Sequence, residues 1–514
     1  MNKVAKATFV LMIATVIAKI LGFGRELVLA SSYGASMYSD AYITAMNIPL
    51  VIFTVIGTTL ATVLIPTYFD VEKGLGKEKS LEFINNVFNI VILLCMILSI
   101  LGLVFSKQIV NLFAIGFKGE TLEVATKFTR VTIIGIVFTG LSYVMTAYLH
   151  IKNNFTIPGL VSVPKNIIII ISIILSTKYS PYIMIWGTLI GMGTEFLFQL
   201  PSAIKEGYKY KFYIDIKDQN VKHMMVLIGP VLIGVAVNQI NTLVDRTLAS
   251  TLVEGSISAL NYANKLNGFV MALFITSIGA VIYPMLSKLS SNNNKEEFEK
   301  SVTKSINSVI LLVIPISVGA IVLAEPIVRI LFQRGAFDAR ATEMTSIALI
   351  MYSVGMVAFG LRDILGKIFY SIQDTKTPMI NGALAMIMNI ILNIILVRYL
   401  KLAGLALATS LSAIICIFLL FKNLGKKIGY FGQDKIIKTS IKSMISSVLM
   451  GITTNLTYNV MINLFGNTML NEVICIGIAV LVGVIIYVIL ILLLKVEEVS
   501  DIMKFAKQKI NIVS

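Results

Sequence analysis

Long apolar stretches, separated by short polar connections, run along almost the whole chain. A helix needs roughly 20 apolar residues to cross the hydrocarbon layer of a membrane, and about fourteen stretches approach or exceed that length. They lack the alternation of a membrane β-barrel, so they predict helices. The predicted spans are residues 7–30, 37–66, 81–106, 128–150, 157–176, 181–204, 221–248, 256–287, 302–324, 343–371, 377–397, 402–421, 439–462 and 470–494.

The composition agrees with this pattern. Hydrophobic residues make up 57% of the 514 positions and charged residues only 14%. A soluble fold could not cover so much apolar surface with polar side chains. The sequence therefore predicts an all-α polytopic membrane protein.

The formal net charge of +16 could suggest a nucleic-acid partner, but the basic residues sort by membrane side. If the N-terminus is cytoplasmic, Lys and Arg concentrate in the cytoplasmic connections, and the positive-inside rule then places both termini in the cytoplasm. We therefore predict no nucleic-acid partner. Basic residues in those connections include Lys205, Lys209, Lys211, Lys217, Lys222, Lys426, Lys427, Lys435 and Lys438.

The sequence also contains an internal duplication with a shift of about 219 residues. The LAS motif at Leu29 returns at Leu248, and Pro66 returns as Pro284. Each copy holds six predicted spans, an even number, so the copies share one orientation around an axis along the membrane normal. We predict an N-terminal lobe at 1–215, a C-terminal lobe at 216–430, and two further helices with a tail at 431–514. Two parallel six-helix lobes around a central cavity indicate an alternating-access transporter.

Charged residues inside spans are candidates for the substrate site, because each costs at least about 2.5 to 3.5 kcal/mol near the bilayer centre unless it meets water or a partner. Cations outnumber acids there, which predicts an electropositive cavity and an anionic ligand. Side chains near helix ends have the alternative of extending to the membrane surface. The cations within spans are Lys19, Arg25, Arg130, Lys165, Arg246, Lys265, Arg362 and Lys367.

Arg25 is the leading candidate. It follows Gly22 and Gly24, and glycines weaken a helix and leave backbone polar groups able to face a cavity. Adjacent residues diverge by about 100° around a helix, so we expect Glu26 to meet another helix or the headgroup region and not Arg25. The candidate substrate-binding residues are Arg25, Lys19, Lys265, Asp40, Glu26, Asn47, Asn264 and Arg246.

A second pattern concerns a cation. Asn389 and Asn393 lie one turn apart on one helix face, and with Asp245 they could supply oxygen ligands to a monovalent cation such as sodium. Hydrogen bonding between helices is the alternative role for the same residues. No other cofactor is predicted, and ATP drive is not supported because no glycine-rich phosphate loop precedes a Lys-Ser or Lys-Thr pair.

Several segments resemble the MurJ (MviN) family of lipid II flippases, within the larger group of multidrug and oligosaccharidyl-lipid exporters. They are GFGRELVLASSYGASMYSDAY, INTLVDRTLASTLVEGSISALNYANKL, LFQRGAFDARAT and FYSIQDTKTP. The resemblance implies a multi-pass protein of the bacterial cytoplasmic membrane. It would move undecaprenyl-diphosphate-linked peptidoglycan precursor to the outer leaflet without covalent chemistry, and cationic side chains would meet the diphosphate. Membrane lipids are further expected partners, and cell-wall synthesis proteins are further candidates.

Carried over by position, Arg25 matches the first-helix arginine of the family, Lys19 a basic residue before it, and Asp40 the acid that opens the second helix. Lys265 stands where the family usually has an arginine. Asn264 replaces a frequent acid, and Phe53 and Thr54 replace a basic pair. These departures keep a flippase for another polyprenyl-linked glycan, such as a capsule, teichoic or O-antigen precursor, as an alternative. A cation-coupled drug exporter and a polyprenyl glycosyltransferase fit the charge pattern and the short external connections less well.

Overall fold

The computed structural model describes residues 3–292, 294–466 and 468–498. All regular structure in these ranges is helical, so the predicted all-α membrane class is confirmed. The helices are α1 (Lys3–Tyr33), α2 (Met37–Leu75), α3 (Lys77–Val104), α4 (Ser106–Phe113), α5 (Gly119–Ile151), α6 (Thr156–Leu160), α7 (Ser162–Ser176), α8 (Tyr182–Lys205), α9 (Gln219–Ala249), α10 (Ser256–Val270), α11 (Thr276–Ser291), α12 (Lys295–Val322), α13 (Ala324–Phe332), α14 (Ala339–Val354), α15 (Met356–Ser371), α16 (Lys376–Ile428), α17 (Gln433–Phe465) and α18 (Met469–Leu493).

Many of these helices can cross a membrane. Within the described residues, eight helical segments are long and apolar enough to do so, and the pair α14 and α15, bent by 44° at its break, makes a ninth. The chain is therefore a multi-pass membrane protein, and the count of fourteen spans stays a prediction. The break expected between residues 397 and 402 is found in α16 at Lys401, where φ is 50°. Such a backbone conformation is unfavourable for a residue with a Cβ and cannot continue a right-handed helix.

The chain divides into two compact units. The first comprises Met1–Ser258 with Arg334–Asp338, and the second Ala259–Gln333 with Ala339–Ser514. The packing therefore groups α9 with the preceding helices, although the predicted boundary between the lobes is at residue 216. The segment 334–338, which the sequence assigns to the C-terminal lobe, also packs with the first unit. The predicted duplication concerns sequence, and it stays a prediction.

Small residues allow close helix packing in the first unit. A Cβ added to Gly187 on α8 would lie 2.1 Å from the Cβ of Ser172 on α7, and one added to Gly140 on α5 would lie 2.7 Å from the Cys95 sulfur on α3. Helices in a membrane gain little from apolar burial alone, so close van der Waals packing at such small residues carries much of their association. The helices around α5 thus form a tightly packed support for the polar side chains described below.

The two helices outside the predicted duplication, α17 and α18, belong to the second unit. On α18, the Tyr487 hydroxyl donates to the Leu311 carbonyl of α12 at 2.8 Å, and Glu472 accepts a hydrogen bond from Arg329 of α13 at 3.1 Å. Tyr458 on α17 donates to the same Glu472 oxygen at 3.0 Å. Glu472 is buried, and these donors compensate its charge. The pair of helices is therefore fixed to the second unit by polar contacts at both ends.

Candidate functional site

Arg25 lies on α1 with only 19% of its side chain exposed. Its Nη2 is 2.7 Å from Glu26 Oε1, and its Nη1 donates to Asn166 Oδ1 on α7 at 3.2 Å. The expectation that Arg25 and Glu26 do not pair was therefore wrong. A helical wheel fixes the direction of the Cα–Cβ bonds, whereas the long arginine side chain can fold across that angle. Glu26 is buried, and a buried carboxylate is strongly stabilised by a cationic partner.

A second ion pair lies beside Asn166. The Lys165 ammonium on α7 is 3.0 Å from Glu195 Oε1 on α8, and the two side chains are 19% and 13% exposed. Glu195 is also within electrostatic range of Arg25. Two cations and two carboxylates therefore lie near Asn166, and their formal charges cancel. We call Arg25, Glu26, Lys165, Asn166 and Glu195 the charge cluster.

The charge cluster includes residues that were not predicted from the sequence as ligands of the substrate. Lys165 was recognised as a cation within a span but was not a candidate ligand, and neither Glu195 nor Asn166 was a candidate. The adjacent Lys165-Asn166 pair in an otherwise apolar span is the signal that could have found them. Buried Tyr42 also lies within electrostatic range of Arg25, and its hydroxyl is hydrogen-bonded to Thr188 of α8 at 3.0 Å.

The remaining candidates are more dispersed. On α1, Lys19 is exposed, and on α9, Arg246 is half-buried. Asn47 on α2 is half-buried and donates its amide to the Ile43 carbonyl of its own helix at 2.5 Å. Asn264 and Lys265 are exposed on α10 in the second unit. Their roles as substrate ligands stay predictions.

Asp40 is engaged in a structural arrangement within the first unit. Its Oδ2 accepts the Gly255 N–H at 2.8 Å, and its Oδ1 accepts the N–H and the hydroxyl of Ser258 at 2.8 and 2.5 Å. The side chain is buried. Asp40 therefore satisfies backbone donors that a helix start leaves without intrahelical partners. This gives it a positioning role, while contact with a ligand stays a prediction.

Two close backbone approaches lie in the same unit. The Ala336 N–H donates to the Ser31 carbonyl at 2.8 Å, and a Cβ on Gly335, whose φ is +59°, would be 2.2 Å from that carbonyl oxygen. The Gly116 N–H donates to the Ser250 hydroxyl at 2.9 Å, and a Cβ on Gly116 would be 2.0 Å from the Ser250 carbonyl oxygen. We call these contacts the glycine junctions. They bring together segments of both predicted lobes.

The cation candidates are hydrogen-bonded residues. Asn393 donates to Asn389 Oδ1 at 2.9 Å, and Asn389 donates to Ser412 Oγ at 3.3 Å, within the bent helix α16. Both asparagines are buried. Asp245 lies on α9, which belongs to the first unit. Among the described residues, no group of three or more His, Cys, Asp or Glu side chains could hold a metal ion.

Residues 29–475 match the family model described as "Lipid II flippase MurJ". The chain belongs to the MurJ family. It is 32% identical over 411 residues to "Lipid II flippase MurJ" of Thermosipho africanus, covering 80% of this chain and 83% of that one. It is 30% identical over 439 residues to "Probable lipid II flippase MurJ" of Vibrio cholerae, covering 82% and 83%.

Solved structures agree with membership in the MurJ family. A "Lipid II flippase MurJ, inward closed conformation" superposes with a TM-score of 0.80 at 31% identity, covering 94% of this chain and 98% of that chain. An inward-facing multidrug transporter of the MATE family superposes with a TM-score of 0.65 at 17% identity, covering 82% and 99%. The second match shows the fold alone. The resemblance read from the sequence motifs is thus confirmed at the level of the MurJ family.

Proposed function

We propose that this chain translocates lipid II, the undecaprenyl-diphosphate-linked peptidoglycan precursor, from the cytoplasmic to the outer leaflet by alternating access. The match of residues 29–475 to the lipid II flippase family carries this proposal. The protein moves the lipid without making or breaking covalent bonds. The membrane is the bacterial cytoplasmic membrane, with both termini in the cytoplasm.

The charge cluster supports a role in holding the diphosphate. Guanidinium and ammonium groups are the side chains that bind phosphate oxygens, and arginine can do so with two parallel hydrogen bonds. In the structure Arg25 uses Glu26 and Asn166 as partners. A bound diphosphate would have to replace these oxygens as the hydrogen-bond partners of Arg25. In the absence of substrate, the same oxygens keep the cationic side chain in place. Arg25 would provide the primary contact, and Lys19 and Lys265 further positive charge.

The direct test is the accessibility of lipid II in cells. Depleting the protein from cells that lack a substitute should remove lipid II from the outer leaflet, which can be measured by its susceptibility to an enzyme supplied from outside. Unchanged exposure would contradict the proposal. Depleted cells that express a variant with normal membrane insertion but no transport provide the matched control.

A flippase for another polyprenyl-linked glycan remains the second candidate, because Phe53 and Thr54 stand where many members of the family carry basic residues. Phe53 is buried and its ring stacks on Tyr143 at 5.7 Å between centroids, so the position serves packing here. Complementation separates the two functions. Growth of a strain that lacks its own lipid II flippase supports the first, and failure to grow despite normal insertion supports the second.

We also infer that transport depends on the membrane potential. Moving one elementary charge across the membrane is worth about 2.3 kcal/mol per 100 mV, so charged side chains that change their access would respond to it. A sodium ion held by Asp245, Asn389 and Asn393 is the proposed coupling ion, since amide and carboxylate oxygens suit a hard cation. Flipping that is unchanged after the potential is dissipated would refute the first inference. Flipping that is independent of sodium would refute the second.

A further inference from the structure

The segment that connects α8 and α9, residues 206–218, has turns at 206–207 and 216–217, and three asparagines hold the stretch between them against α3. We call the whole segment the linker. Asn85 donates to the Lys209 carbonyl at 2.9 Å, and Asn86 donates to the Asp215 carbonyl at 2.8 Å. Asn89 donates to the carbonyls of Lys211 at 3.3 Å and Tyr213 at 3.2 Å.

The same asparagines also accept from the linker. Asn85 Oδ1 accepts the Lys211 N–H at 3.1 Å, and Asn86 Oδ1 accepts the Asp215 N–H at 2.8 Å. The amides therefore take the place of a neighbouring β-strand, and they bond only the odd-numbered backbone groups of the linker. A chain held in this way keeps one register, because sliding by one residue would turn the other set of backbone groups toward the asparagines.

Because the register is fixed, the odd-numbered and even-numbered side chains of the linker lie on different sides of the chain. In an extended chain, alternate side chains point to opposite faces, and the even positions from 210 to 216 are all large, mainly apolar and exposed. Tyr208 is buried, and the Tyr210 hydroxyl donates to Asn89 Oδ1 at 2.9 Å. Phe212 is 74% exposed, Tyr210 56%, Ile216 55% and Ile214 40%. Such a row of large apolar side chains is unfavourable in water and indicates an interaction surface.

Basic residues surround the apolar row. Lys205, Lys209, Lys211, Lys217 and Lys222 all lie in or beside the linker and are exposed. Two of the nearby acids are turned onto the backbone: Asp215 accepts the Lys217 N–H at 2.8 Å, and Asp218 accepts the Asn220 N–H at 2.7 Å at the start of α9. Lys209, Lys211 and Lys217 are at odd positions, so their long side chains must extend past the edge of the linker to lie beside the apolar row, and Lys211 is also 3.6 Å from Glu82. Lys205 and Lys222 lie beyond the two ends of the row.

From this arrangement we propose that the linker is a binding site for anionic phospholipid, with its apolar row in the interfacial layer of the membrane and its lysines on the headgroups. The linker joins the end of one membrane helix to the start of the next, so it lies at the membrane surface. Apolar side chains flanked by lysines are the chemistry that binds an anionic lipid surface. The asparagines would hold this surface in place during transport. The proposal is independent of which polyprenyl lipid is transported.

A tryptophan probe tests the proposal. The chain has one tryptophan, Trp186, so Trp186→Phe with Phe212→Trp places a single reporter on the linker. In vesicles of phosphatidylcholine and phosphatidylglycerol, we expect quenching by brominated acyl chains, and stronger quenching when the bromine is carried by the phosphatidylglycerol. Retained transport would show that the reporter protein is folded.

The lysines supply the matched comparison. Each lysine near an anionic surface strengthens its binding roughly fivefold, so Lys209→Gln with Lys217→Gln should remove most of the preference for phosphatidylglycerol. Lys295→Gln, at a position 77% exposed on α12, should leave it unchanged. Water-like emission without quenching would overturn the proposal. Equal quenching by the two lipids would also overturn it, because the site would then lack its anionic ligand.

Discussion

The Ser39 hydroxyl donates to the Ser258 hydroxyl at 3.1 Å, and the two residues are 219 positions apart in the sequence. That separation equals the predicted shift between the two copies of the duplication. The glycine junctions follow the same rule, because Ser31 and Gly116 of the first copy correspond to Ser250 and Gly335 of the second. In general, when two copies are related by a two-fold axis, equivalent residues can contact each other and any other contact occurs twice, in equivalent pairs.

Alanine substitutions test the glycine junctions. Gly335→Ala and Gly116→Ala should each destabilise the protein by about 1 to 3 kcal/mol, because the added Cβ meets a backbone oxygen that cannot move aside alone. Thermal unfolding in detergent measures the effect. Gly319→Ala on α12 is the control, since a Cβ there meets nothing within 4 Å and alanine favours a helix. Equal unfolding midpoints for the Gly335 and Gly319 variants would contradict the expectation.

Asp40 should be essential for the stability of the same region. Asp40→Ala removes the acceptor of three hydrogen bonds, and each buried donor left without a partner costs roughly 1 to 3 kcal/mol. Asp40→Asn should have a smaller effect because one acceptor oxygen remains. Asp70→Ala, at an exposed position of the same helix, should leave the unfolding midpoint unchanged. An Asp40→Ala protein as stable as the Asp70 variant would exclude the positioning role.

The sequence could predict what depends on the length and polarity of single helices. Apolar runs gave the all-α membrane class, and the polar interval near residue 400 gave the break found at Lys401. Contacts between helices depend on their relative register, which a single sequence does not contain. The sequence therefore could not predict the Lys165–Glu195 pair, the partners of Arg25 or the packing of α9 with the first unit.

Arg25 should be necessary for transport and not for insertion. Arg25→Ala should abolish function with normal amounts of protein in the membrane, whereas Arg25→Lys should be partly active. Lysine keeps the charge but loses the paired hydrogen bonds to phosphate oxygens. Complementation of depleted cells, together with membrane abundance, measures both properties. Full activity of the alanine variant would remove Arg25 from the site.

A double substitution can separate two roles of Lys165. Lys165→Met leaves Glu195, whose side chain is only 13% exposed, without its cation, which should destabilise the protein. Adding Glu195→Gln removes that uncompensated charge and should recover the unfolding midpoint. If Lys165 contacts the substrate, transport should remain low in the double variant even though stability returns. Recovery of both stability and transport would show that the pair is only structural.

Asp374 lies in the connection between α15 and α16, outside the spanning segments. It forms an ion pair with Lys427 and accepts the Thr377 N–H at 3.0 Å. Burial alone would raise the pKa of this carboxyl, but the Lys427 ammonium and the Thr377 donors lower its pKa to about 2. A pKa below that of the unfolded chain, about 3.9, means that the ionised form is preferentially stabilised by folding.

The stabilisation by Asp374 should therefore be present above about pH 4 and disappear as the pH falls toward 2. Asp374→Asn keeps an acceptor for the Thr377 N–H, as Asn154 does for Ile157 at 3.5 Å, and removes only the charge. The difference in unfolding midpoint between the native protein and this variant should be constant from neutral pH to about pH 5 and shrink below pH 4. Asp70→Asn, which removes a carboxyl charge at an exposed position, is the control. If the difference in unfolding midpoint between the native protein and Asp374→Asn persists unchanged at low pH, the prediction is contradicted. Protonation of Asp374 would then have no effect on stability, and the side chain would act through its shape and not through its charge.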